Sequence, residues 1–171
     1  MTDWPVYTHK VHRLLKPGGW AELQDFAQTL LQPNGEEAKW EWIEALRDAG
    51  NAMGLDWDAG ANIETYLRNA GFEDVQAWEY IAAVGTWTGM PEEATATAET
   101  FRRTVPLLFW HMIPKLLHGR HSAEKIEEFQ EQCRRDFARQ PVYARFFVAI
   151  GRKSPPQMFS NAVKGRECGL V

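Results

Sequence analysis

The sequence predicts one α/β domain: a sheet of about three strands with a helical cover. Three observations carry this expectation. Alternating or unbroken apolar runs at 20–26, 73–85 and 141–153 read as strands. Segments with apolar residues at helical spacing separate them, giving the order α-β-α-α-β-α-α-β. The 171 residues, 44% of them hydrophobic, are enough to bury one core.

Taken in order, Thr2 or Asp3 caps a first helix that has Pro5 in its first turn and Tyr7, Val11 and Leu14 on one face. The stretch "LLKPGGW" (14–20) stops it at Pro17-Gly18-Gly19. "WAELQDF" (20–26) alternates as a strand, and a loop containing Pro33-Asn34-Gly35 follows. Segment 36–53 sets Trp40, Ile43, Leu46, Ala49 and Met53 on one helical stripe. "NIETYLRNAGF" (62–72) is a short helix capped by Asn62, with Gly71 just past its end. "EDVQAWEYIAAVG" (73–85) is the second strand.

Region 91–138 is helical, with Phe101, Val105, Leu108, Phe109, Met112 and Leu116 as its stripe. Pro106 and Pro114 each remove a donor and crowd the preceding turn, which predicts a kink or two consecutive helices. Ser122 caps the next helix, whose inner face holds Ile126, Phe129, Cys133 and Phe137 and whose last turns carry Arg134, Arg135 and Arg139. "PVYARFFVAIGRK" (141–153) closes a domain spanning 1–153. Its run Phe146–Ile150 reads as a strand buried on both faces. Residues 154–171 are expected to form an extended or disordered C-terminal tail.

Composition excludes several classes. The net charge of −4 has acids and bases interspersed, so no nucleic-acid footprint is expected. Two cysteines, Cys133 and Cys168, support neither a disulfide framework nor a zinc site. His111, His118 and His121 lack a carboxylate or thiol at ligand spacing, so no metal is expected. No signal-peptide pattern or membrane-length apolar run is present, which predicts a soluble cytoplasmic protein without membrane association. Eight Trp and nine Phe serve either as core or as walls for a bulky apolar ligand.

"VHRLLKPGGWAELQDF", "YLRNAGFEDVQ" and the terminal "ARFFVAIGRK" together resemble the C-terminal half of class I S-adenosylmethionine (SAM)-dependent methyltransferases. The likeness is to the fungal LaeA-like group of secondary metabolism, which shares an Asp-Trp-Pro opening and the Leu-Lys-Pro-Gly-Gly-Trp turn. It covers Asp3 to about Lys153. The resemblance implies a truncated methyltransferase-like (partial Rossmann-like) sheet, in which 20–26, 73–84 and 142–150 are the family's fifth, sixth and seventh strands. It further implies that the last of these lies between the other two and antiparallel to them. The family holds its cofactor with a glycine-rich turn and an acid after its second strand. Neither has a counterpart here, so the chain is expected to bind no SAM and to use no cofactor.

On this resemblance, the end of the fifth strand and the helical insertion at 91–138 would enclose the substrate. Asp25 and His111 are then the candidate acid–base residues, since carboxylate and imidazole move protons near neutral pH. Gln24, Phe26, Trp87, Phe109 and Trp110 are the candidate substrate-binding residues. His118 and His121 flank Gly119 and suit a helix C-terminus instead. Glu22 sits one pleat from Gln24 and needs a partner if it points inward.

Three functions follow as alternatives. The first is a cofactor-independent natural-product tailoring enzyme, a cyclase or isomerase acting on an apolar small molecule. The second is a non-catalytic partner of a full-length methyltransferase. The third is a fragment of such an enzyme. An open edge on the strand at 20–26 also predicts a homodimer.

Overall fold

In the computed structural model, which describes residues 3–155, Asp3 begins the first helix. Its carboxylate accepts the Val6 N–H at 2.9 Å, and Pro5 sits in the first turn of α1 (Trp4–Leu14). The turn that follows is tied to the far end of the domain. Gly18, at φ +79°, donates its N–H to the Lys153 carbonyl, and Lys153 N–H returns to the Gly19 carbonyl, each at 2.8 Å. Lys153 Nζ also reaches the Leu15 carbonyl at 2.8 Å, placing a cation where the helix dipole favours one.

The remaining elements are β1 (Trp20–Leu31), α2 (Glu41–Ala52), α3 (Ala59–Asn69), β2 (Glu73–Val84), α4 (Glu92–Leu117), α5 (Ala123–Arg139) and β3 (Val142–Arg152). Their order is the expected one. The sheet runs β1-β3-β2 with both pairings antiparallel, the arrangement that the resemblance implies. β1 is longer than 20–26 because a register shift between Ala27 and Leu30 carries the ladder on to Leu31. The expected tail lies outside the described residues from 156 onward, as do Cys168 and the Thr2 cap.

Residues directly opposite in an antiparallel pair share a face. One face therefore carries Trp20, Glu22, Gln24 and Phe26 with Phe146, Val148, Ile150, Trp78 and Tyr80. The other carries Ala21, Leu23 and Asp25 with Arg145, Phe147 and Ala149. α1 and α3 cover the second face, burying Ala21, Leu23, Ile63, Leu67 and Ala149. α2, α4 and α5 cover the first face only near Leu30, Val84, Val142 and Ala144. The cover is diagonal, which leaves the first face open around Trp20 and Trp78. β3 accordingly has no exposed residue, yet Phe146, Phe147 and Val148 are half-buried rather than enclosed.

Several expectations are corrected. α3 starts at Ala59 after Asp58, not at Asn62. Its first turn passes close to β1 at Gly60, where a Cβ would lie 2.8 Å from the Phe26 carbonyl carbon and 2.9 Å from the Asp25 oxygen. On α2, Met53 is exposed and Trp42 is fully buried, its indole N–H donating to Asp136 Oδ2 at 3.0 Å. The apolar stripe of α4 runs through Phe109, Ile113 and Leu117, while Leu108 is 51% exposed.

α4 also continues through both prolines without a break. Pro114 has no N–H for the Trp110 carbonyl, and Gln130 Nε2 from α5 donates to that oxygen instead, at 3.2 Å. Ser122 caps α5 as expected, accepting the Lys125 N–H. Among the described residues, no helix is long and apolar enough to cross a membrane.

Candidate functional site

Phe26 leaves β1 on the first face and meets the underside of α4. Its ring packs against Phe146 at 4.9 Å and Phe101 at 6.3 Å between centroids. Beside it a crevice of about 40 Å³ opens between the end of β1 and α4, lined by Phe26, Leu30, Val105, Leu108, Phe109 and Ala144. At its back wall Phe109 is buried against Trp42 at 5.3 Å. At its mouth Leu108 is half-exposed. The alternation of β1 and the stripe of α4 together build this apolar site.

Asp25 lies on the other side of the sheet. Its Oδ1 accepts the N–H of Phe26 at 2.8 Å, and Gly60 of α3 packs against its backbone. Burial pushes the Asp25 carboxyl above the usual carboxylate range, opposed by the Phe26 N–H and reinforced by nearby Asp56. Asp56 accepts the Tyr66 hydroxyl, the Asp58 N–H at 3.0 Å and the Asn62 amide at 3.4 Å. Burial and the Asp56 charge push the Tyr66 phenol up to about 12, so it stays a donor at neutral pH. Sequence reasoning missed this cluster. Its signal was Asn62 and Tyr66 one helical turn apart behind Asp56-Trp57-Asp58.

The other candidates are scattered. His111 is exposed on α4, in edge contact with the Trp110 ring at 4.9 Å. The carbonyl of Trp110 serves the α4–α5 bond described above. Trp87, in the loop before α4, packs against Tyr143 at 5.6 Å. Gln24 is exposed on the first face and donates to Glu22, which is exposed as well. The structure thus brings Phe26 and Phe109 together in one crevice and leaves Asp25, His111, Gln24, Trp87 and Trp110 outside it. His118 ends α4 and His121 follows Gly119, both exposed. Among the described residues no group of three or more His, Cys, Asp or Glu is placed to hold a metal ion.

A larger hollow of about 340 Å³ lies between α2 and the α4–α5 turn, beside Glu44, Asp48, Arg120 and His121. Another, of about 480 Å³, lies where the β2–α4 and α5–β3 connections meet, beside Arg102 and Arg139. Both are shallow and charged, unlike the crevice under α4.

No protein-family model matches the chain. Two curated proteins named methyltransferase pytC, from Aspergillus terreus and from its strain NIH 2624 / FGSC A1156, are 26% identical to it over 93 residues. The match covers 52% of this chain and 29% of each relative, so the chain spans less than a third of the proteins it matches. The similarity is distant and marks a methyltransferase-like relationship.

Proposed function

We propose that the chain is the substrate-side portion of a methyltransferase-like fold of fungal secondary metabolism, and that it holds an apolar small molecule between the end of β1 and α4. The observation that supports this reading is the crevice itself. It is apolar apart from Gln28 and lies at the carboxyl end of a strand, where sheets of this class receive ligands. At about 40 Å³ it is well below the ~300–1,000 Å³ of small-molecule sites, so binding requires α4 to yield. Leu108 at the mouth can rotate outward while giving up few buried contacts.

The reaction assigned to the site is a SAM-independent cyclisation or isomerisation. Bonds shift within one molecule, no co-reactant is consumed, and orientation against Phe26 and Phe109 lowers the barrier. Asp25 and His111 are proposed acid–base groups only if the fold rearranges around the ligand. A second reading is methyl transfer with a cofactor-binding portion supplied elsewhere. The name of the relatives and the small share of them that the chain spans favour it.

Incubating the purified chain with apolar metabolites of Aspergillus terreus, with and without SAM, separates the two. A product of unchanged mass in both samples supports the tailoring reaction. A product heavier by one methylene and dependent on SAM supports methyl transfer. No product in either case overturns the catalytic reading.

A further inference from the structure

Among the described residues that line the crevice under α4, Gln28 carries the one polar side chain. β1 leaves its ladder at this point. Ala27 faces Arg145, and an unbroken register would set Gln28 opposite Ala144; Leu30 takes that place instead, leaving Gln28 and Thr29 without a partner on β3. Such an irregularity re-aims the side chains it carries. Both residues are held from elsewhere. The Gln28 N–H donates to the carbonyl of Trp57, a buried residue between α2 and α3, at 3.2 Å. The Thr29 hydroxyl accepts from Arg47 of α2 at 3.4 Å. The Gln28 carboxamide, by contrast, has no hydrogen-bond partner among the described residues, and Gln28 is half-buried. A backbone fixed at the crevice wall thus carries an unused donor group and an unused acceptor.

We propose that Gln28 is the polar anchor of the crevice, and that its ligand is a neutral, apolar ring compound bearing a hydroxyl or carbonyl group. This rests on the ligand site proposed above and adds what that site selects. Phe26, Leu30, Val105, Leu108 and Phe109 offer an apolar molecule contact area but no direction, because burial of apolar surface is non-directional. A hydrogen bond to Gln28 fixes which end of the molecule lies against β1. The carboxamide accepts from a hydroxyl and donates to a carbonyl, so it takes either. It is uncharged, and no ionisable side chain lines the crevice. A carboxylate entering it would lose hydration without gaining a counter-charge, so the crevice selects against charged ligands.

p-Cresol and toluene share a ring and a methyl group and differ by one hydroxyl. Titrated into the ¹⁵N-labelled chain, both should shift the Val105–Phe109 amides. p-Cresol should bind about three- to tenfold more tightly, the worth of one hydrogen bond. Apolar burial alone would favour toluene, since the hydroxyl costs free energy to desolvate. The side-chain NH₂ resonances of Gln28 should move further with p-cresol than with toluene, a readout that needs no variant. Gln28→Leu should keep toluene binding and the circular dichroism spectrum while abolishing the preference for p-cresol. Equal affinities in the unaltered chain, or a preference that survives Gln28→Leu, would overturn the anchor and leave the crevice standing as a ligand site. Shifts at Val105–Phe109 from neither compound would overturn the ligand site and the anchor together.

Discussion

Asp25 and Phe26 are consecutive in β1 yet lie on opposite sides of the sheet, joined by a 2.8 Å hydrogen bond from the Phe26 N–H to the Asp25 carboxylate. This relationship divides the apolar crevice on one face from the carboxylate and phenol cluster on the other. Any chemistry in the crevice therefore starts from shape and orientation, with no ionisable side chain lining it.

Asp25 should make stability depend on pH in a defined direction. Its folded pKa lies above the ordinary value of 3.8, so its neutral form suits the folded state better. That contribution is fully present below pH 3.8 and is lost as pH rises through the raised value. Asp25→Asn keeps an oxygen for the Phe26 N–H and removes the charge. The variant should unfold at higher urea than the parent at pH 7, with the advantage vanishing near pH 3. An equal difference at both pH values would show that burial of the charge is not the cause.

Gly60 sets how closely α3 approaches β1. A methyl there would lie 2.9 Å from the Phe147 ring and closer still to the Phe26 carbonyl carbon, against backbone that cannot yield locally. Gly60→Ala should cost about 1–3 kcal/mol, as overpacking does, even though alanine is the better helix former. A stabilised Gly60→Ala protein in urea titration would contradict the close packing of α3 on β1.

The continuity of α4 rests on a bond between helices. Gln130→Leu should cost about 1 kcal/mol by leaving the Trp110 carbonyl unpaired. Pro114→Ala restores a backbone donor for that carbonyl, so the same leucine change made in that background should cost clearly less. Additive costs in this double-mutant cycle would remove the proposed compensation.

The helix stops, the order of the elements and the alternation in β1 were legible because glycine turns and period-two patterns are local properties of the chain. Gly71, at φ +90°, ends its helix where the sequence predicts. What was not legible depends on which face a distant helix covers. Alternation alone separates Asp25 from Phe26, but only the packing of α4 decides that Phe26 and not Asp25 meets it. His111 suffered the same fate. Its neighbours Phe109 and Ile113 turn inward and leave it on the exposed side of the helix. The prolines misled for a related reason, since the group that replaces the missing donor comes from a residue sixteen positions after Pro114.

The crevice under α4 is tested most directly by nuclear magnetic resonance titration of the ¹⁵N-labelled chain with 2-naphthol, a flat apolar probe. The account predicts saturable shifts confined to the backbone around Phe26–Leu30 and Val105–Phe109, and their loss in Leu108→Trp, which plugs the mouth without touching the buried core. Shifts centred on Trp20 and Trp78, or shifts that persist in Leu108→Trp, would contradict it.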